Sequence, residues 1–154
     1  MAKSEKAGRK TATGSSRGEL LRVAGVVLGR LRKQPGLPTR HLVAFAKEWL
    51  SILRGRSELN AAPGDRRFAD EGWQSGRVSK LLMQTYLAAG NEVYALIREL
   101  ELEGRDASSA RFLATTLVEA LAPSNNPFIN PAVRKAVRQS RGKTLLRGLQ
   151  HLIG

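Results

Sequence analysis

Gly14-Ser15-Ser16-Arg17-Gly18 has the G-x-S-x-G spacing of a hydrolase nucleophile elbow, with Ser16 in the nucleophile position. That chemistry needs a buried strand before the serine and a helix after it, so that the hydroxyl stands exposed on a strained turn. Arg9-Lys-Thr-Ala-Thr13 precedes it and makes no apolar strand, so the match reads as tail. Gly142-Lys143-Thr144 resembles the end of a phosphate-binding loop, but Val137 stands where the first glycine belongs. His41 and His151 are the only histidines and cysteine is absent. The chain therefore offers no disulfide, no thiolate zinc site and no cysteine nucleophile. The carboxylate pairs Asp70-Glu71 and Glu101/Glu103 look like a helix entry and a solvated helix end, not two groups flanking a substrate. Catalytic residues: none are expected, and neither a metal nor a cofactor is called for.

What remains is charge. The 154 residues hold 26 Lys+Arg against 13 Asp+Glu, a net charge of +13, and 42% are hydrophobic. Thirteen of the cations but only three of the acids fall within residues 1–56. Such an imbalance points to anionic partners rather than to a fold. No apolar run approaches the roughly 20 residues a membrane span requires, and the N-terminus lacks the apolar stretch of a secretory signal. A cytoplasmic location is the expectation.

The elements that would position these groups are all helical, and the spacing predicts five to six amphipathic helices. Residues 1–18 are basic, rich in Gly, Ser and Thr, and nearly free of large apolar side chains, which predicts a disordered basic tail. From Glu19 to Lys33, Leu20, Leu21, Ala24, Val27, Leu28 and Leu31 recur at helical spacing. Pro35-Gly36-Leu37-Pro38 should end that helix, and Thr39 should cap a second one over Arg40–Arg54. In the second helix Leu42, Phe45, Ala46, Trp49, Ile52 and Leu53 share a face, opposite Arg40, Lys47, Ser51 and Arg54. A long helix is expected over Arg77–Glu103, closed by Gly104 and with Gly90 marking close packing. Its inward face should include Val78, Leu81, Leu82, Tyr86, Ala89, Val93, Leu96 and Leu100, with Gln84 on the far side. Asp106 should cap the next helix, through Leu121, with Ala110, Leu113, Leu117 and Leu121 inward and Phe112 on the opposite flank, so that either the helix is covered on two sides or Phe112 meets something outside this chain. Asn130 followed by Pro131 is a cap and first-turn proline for a helix to about Gln139. After a break at Gly142, Lys143–Ile153 should return to helix. The fold class is all-α.

Residues 40–54, with Phe45 and Trp49 among aliphatics and Arg40, Lys47 and Arg54 opposite, have the pattern of a helix lying on an apolar–water boundary. Phe112 is a further candidate surface contact. The alternative assigns the basic helices to nucleic acid, since clustered Lys and Arg release counterions from phosphate, although no recognition motif accompanies them.

Several motifs in register narrow the choice. Asp65-Arg66-Arg67-Phe68-Ala-Asp70 with Trp73, then Leu82-Met-Gln-Thr-Tyr86-Leu, Arg111-Phe112, Glu119 through Pro123-Ser124-Asn125, Asn130-Pro131 and Thr144–Leu149 follow in order. Over roughly residues 58–154 this sequence resembles the N-terminal domain of polyhydroxyalkanoate synthases, also called poly-β-hydroxybutyrate polymerases. It departs from that pattern at Glu71-Gly72, where a proline is usual after the aspartate, and at Arg141-Gly142, where a glycine pair is usual.

The resemblance implies an acyltransferase system that polymerises hydroxyacyl groups from coenzyme A thioesters into storage polyester. Its cysteine nucleophile would reside in a separate catalytic α/β-hydrolase domain, so this chain alone is expected to be inactive. The implied organisation is a tail (1–18), a basic arm of amphipathic helices (19–57) and the synthase N-terminal-type helical domain (58–154). The implied partners are the hydrolase domain, the polyester granule surface and a second copy of the chain, with a granule-associated location.

Overall fold

The computed structural model describes the backbone of residues 2–140, with side chains from Gly18 onward. The expected break at Gly142, the helix over Lys143–Ile153 and the Thr144–Leu149 motif lie outside the described residues. Within them stand six α-helices and two short 3-10 turns, with no strand: α1 (Ala2–Lys33), α2 (Gly36–Leu53), α3 (Gly72–Ser75), α4 (Arg77–Glu99), α5 (Gly104–Ala120) and α6 (Pro131–Gln139). The 3-10 turns are Arg66–Phe68 and Pro123–Asn125. The all-α expectation holds.

Helix boundaries differ from the sequence reading where side-chain chemistry was weighed against backbone need. α1 extends back to Ala2, through residues expected to form a disordered tail; Ala, Lys, Glu and Arg are good helix formers and no proline interrupts them. α2 starts at Gly36 rather than at a Thr39 cap. Pro38 falls in its first turn, where its missing N–H has no helical partner to lose, and the Thr39 hydroxyl bonds back to the Pro35 carbonyl at 3.4 Å. α4 ends at Glu99, and Glu101 takes a left-handed conformation at φ 49°. Gly104, at φ 54°, opens α5 instead of closing α4. Asn130 behaves as expected: its side-chain oxygen accepts from the Ala132 N–H at 3.0 Å, with Pro131 as the first helical residue.

The chain divides into two compact units, Met1–Val43 with Glu92–Thr116, and Ala44–Asn91 with Leu117–Gly154. The division falls inside α2, α4 and α5. In the first unit Val23 of α1, Leu37 of α2, Leu100, and Ala107, Ala110 and Ala114 of α5 are buried. Arg22 pairs with Asp106, and Arg105 Nη2 with Glu19 Oε1 at 2.9 Å.

The core of the second unit is Phe68, Trp73 and Met83, packed by Ala61, Tyr86, Leu87 and Ile129. Phe68 meets Trp73 edge-on, centroids 5.1 Å apart at 83°, the arrangement favoured by ring quadrupoles. Gly90 is buried, and a Cβ placed there would stand 3.2 Å from Val118 Cγ1, so the close packing expected at Gly90 is present.

Several stripes are rotated from those expected. On α1 Val23 is buried while Leu21 and Leu28 are exposed. On α5 the small residues Ala107, Ala110 and Ala114 and then Val118 are buried, whereas Leu117 and Leu121 are exposed. Small side chains let backbones approach, so the alanine face takes the interior. On α4 Val78 is exposed and Gln84 is buried.

Candidate functional site

The 3-10 turn at Arg66–Phe68 begins with a loop glycine at φ 86°, Gly64. It is capped by Asp65, whose Oδ1 accepts from the Arg67 N–H at 3.1 Å. The same carboxylate grips the Arg67 side chain in a fork: Nε donates to Oδ1 at 2.9 Å and Nη2 to Oδ2 at 2.7 Å. Arg67 Nη1 donates to the Tyr86 hydroxyl on α4 at 2.9 Å, and its guanidinium carbon lies 5.8 Å from the centroids of both the Phe68 and Tyr86 rings. The Arg67 bond holds the Asp65 carboxyl below its ordinary range. The same bond raises Arg67 still further above its own. A bidentate pair of this kind fixes orientation as well as charge. Arg66, between them, is exposed.

Asp70 continues the arrangement. Its Oδ1 accepts from the Gly72 N–H at 2.8 Å, turning the chain into α3 so that Trp73 enters the core fully buried. Gly72 is pressed against α6: a Cβ there would stand 2.5 Å from Pro131 Cβ and 2.8 Å from Asp70 Oδ1. Residues 123–131 lead from α5 into α6, with Ile129 packed on the core. Asn125 Nδ2 donates to the Glu119 carbonyl at 2.9 Å, closing α5. Asn130 Nδ2 donates to the Ser124 carbonyl at 2.8 Å. The Ser124 hydroxyl is buried with no hydrogen-bond partner among the described residues. Pro123 opens the 3-10 turn.

Asp65, Arg67, Phe68, Trp73 and Tyr86 therefore hold one another, while Asp70 caps the entry to α3 and Asn130 the entry to α6, where Pro131 is the first residue. They form a scaffold, and no nucleophile–base pair stands among them. Among the described residues no group of three or more His, Asp or Glu is placed to hold a metal ion. No described helix is long and apolar enough to cross a membrane.

The surface candidates divide differently. Phe45 is half-buried on the inward side of α2, with Leu37 and Ile52. Trp49 is exposed, as are Leu42, Val43, Leu50 and Leu53. The apolar face of α2 is thus split, with Phe45 and Ile52 turned inward and Leu42, Ala46, Trp49 and Leu53 turned outward. The inward face also carries His41, whose ring Nδ1 lies 2.6 Å from Glu92 Oε2, and Glu48, which accepts from the Ser57 hydroxyl at 2.6 Å. His41 Nδ1 and Glu48 stand inside because Glu92 and Ser57 receive them, while His41 Nε2 is buried with no hydrogen-bond partner among the described residues. Arg40 is engaged by Glu99, whereas Lys47 and Arg54 form no ion pair among the described residues. Phe112 is 70% exposed, beside a groove of about 420 Å³ lined by Leu20, Val23, Ser108, Ser109 and Leu113.

Sequence reasoning missed Gln84. Its amide donates to the carbonyls of Ser57 at 3.2 Å and Leu59 at 2.9 Å, pinning that segment to α4. Its sole signal was a polar residue next to an apolar stripe, which periodicity assigns to solvent.

The family model described as the poly-beta-hydroxybutyrate polymerase (PhaC) N-terminus matches residues 64–154, the span that holds this scaffold from Gly64 onward. The chain belongs to the poly-β-hydroxybutyrate polymerase family. Among curated polymerases it is 35% identical over 139 residues to poly(3-hydroxyalkanoate) polymerase 1 of Ectopseudomonas oleovorans, covering 90% of this chain and 25% of that one. It is 32% identical over 121 residues to polymerase 2 of the same organism, covering 79% and 21%. To poly(3-hydroxyalkanoate) polymerase subunit PhaC of Cupriavidus necator it is 24% identical over 114 residues, covering 74% and 19%. The chain thus spans about a quarter or less of the length of these polymerases. No solved structure gives a significant match. The sequence is that of a polymerase N-terminal region, and the nucleic-acid alternative gains nothing from these matches.

Proposed function

We propose that this chain serves a polyester polymerase by binding, with no bond-making step of its own. Residues 58–154 are the N-terminal-type domain, 19–57 a basic arm and 1–18 a tail. The observation that carries the reading is the family match over a scaffold whose polar side chains mostly brace one another or cap turns, in a chain with no cysteine. An acyl transfer through a thiolate needs a nucleophile this chain does not contain. A catalytic α/β-hydrolase domain, in the same polypeptide or another, supplies it.

The exposed apolar side chains of α1, α2 and α5 support docking, because contiguous exposed apolar patches on a protein mark contact sites. Phe112 contacts the catalytic domain or a second copy, while Trp49, with Lys47 and Arg54 alongside, meets the polyester granule in the cytoplasm. Purified chain incubated with hydroxyacyl-CoA should release no coenzyme A, and addition of the catalytic domain should restore turnover. Thioester turnover by the pure chain would refute the proposal.

A further inference from the structure

The outward face of α2 is unusual in being apolar and bare. At 100° per residue, Trp49, Leu42, Leu53, Ala46, Leu50 and Val43 fill an arc of roughly 120°, with Thr39 its one polar member. All seven are exposed. Arg54 and Lys47 follow within the next roughly 40°, and Arg40, paired with Glu99, roughly 20° beyond them. Glu48 is the one acidic residue of α2, and it is turned inward on Ser57. The exposed side of this helix therefore carries aliphatic and indole surface edged by the cations Lys47 and Arg54, unpaired among the described residues.

We propose that this face docks on an anionic phospholipid surface, with Leu42, Trp49 and Leu53 entering the acyl layer and Lys47 and Arg54 meeting the headgroups. The inference rests on the reading of the chain as a binding region at an apolar–water boundary and names the chemistry of that boundary. Charge complementarity selects the occupant. A second copy presents the same cations and the same net +13. A bare polyester offers ester carbonyls but no anions to Lys47 and Arg54. A nucleic acid offers anions but no apolar phase for the indole and leucines. An anionic amphiphile layer satisfies both halves of the helix.

The test uses the full chain with three surfaces: phosphatidylglycerol–phosphatidylcholine vesicles, pure phosphatidylcholine vesicles, and lipid-free polyester particles. Co-sedimentation reads binding, and tryptophan emission reads insertion. Trp73 is fully buried and Trp49 is 39% exposed, so a blue shift on binding reports Trp49 and should vanish in Trp49→Phe while binding persists. Anionic vesicles should bind and neutral ones bind at least roughly tenfold more weakly. Lys47→Gln with Arg54→Gln should cost roughly thirtyfold on anionic vesicles, and Leu42→Ser with Leu53→Ser a comparable loss at unchanged helicity. Equal binding to both vesicles, no vesicle binding, or indifference to both double substitutions would overturn the proposal. Capture by polyester particles without vesicle binding overturns it while sparing the granule reading; binding to none of the three removes both.

Discussion

Arg67 and Tyr86, nineteen positions apart, are joined by a 2.9 Å hydrogen bond from guanidinium to phenol, with the cation poised over the ring. Asp65 holds the other edge of the same guanidinium, so one arginine ties a 3-10 turn to the long helix α4.

Removing Arg67 leaves Asp65, whose side chain is only 14% exposed, without its cation. Arg67→Ala should destabilise the protein by about 1–3 kcal/mol, and Tyr86→Phe by about 0.5–1.5 kcal/mol. Urea unfolding of the singles and the double should reveal coupling, because the two share one bond. Additive losses would mean the bond contributes nothing.

The Asp65 carboxyl sits below its ordinary value of 3.8, first through the Arg67 side-chain bond. The folded state thus binds fewer protons here than the unfolded state. The stabilisation is complete above the unfolded value and disappears as pH falls through the lower folded one. The stability gap between wild type and Asp65→Asn should be constant above about pH 5 and narrow steadily below 4. A gap that widens on acidification would contradict the pairing.

Gly72 and Gly25 should respond oppositely to alanine. At Gly72 the new methyl meets Pro131 and Asp70 at 2.5 and 2.8 Å, and overpacking of this kind costs about 1–3 kcal/mol. At Gly25, inside α1, nothing lies within 4 Å, and alanine should stabilise by up to about 1 kcal/mol. Thermal melts of both variants decide the matter.

Phe112→Ser should leave the melting temperature unchanged within error, since exposed positions away from special contacts shift stability by roughly ±0.5 kcal/mol. Association with the catalytic domain, or self-association in sedimentation, should weaken. A collapsed transition would place the ring in the core.

Much of this was legible beforehand. Asn130-Pro131 announced its helix because cap and proline chemistry is local, and Gly90 marked a close approach because little else explains glycine inside a helix. The turn at Asp65–Phe68 could be singled out by its motif, but the Arg67–Tyr86 bond could not, since nothing local pairs positions so distant. The stripe of α5 misled for one reason. Periodicity says that a face is apolar, and it does not say which face is covered. In α5 the alanines won the interior over Leu117 and, just past its end, Leu121, and in α2 His41 and Glu48 turned inward because Glu92 and Ser57 received them.

A helix that keeps its oily side outward would glue copies together in a neutral protein. Here the surplus of positive charge holds neighbours apart over a range set by the ionic atmosphere, about 10 Å at 0.1 M salt and 3 Å at 1 M. Salt therefore acts as a throttle on cohesion: concentrated preparations should stay dispersed in dilute buffer and cloud as electrolyte is added.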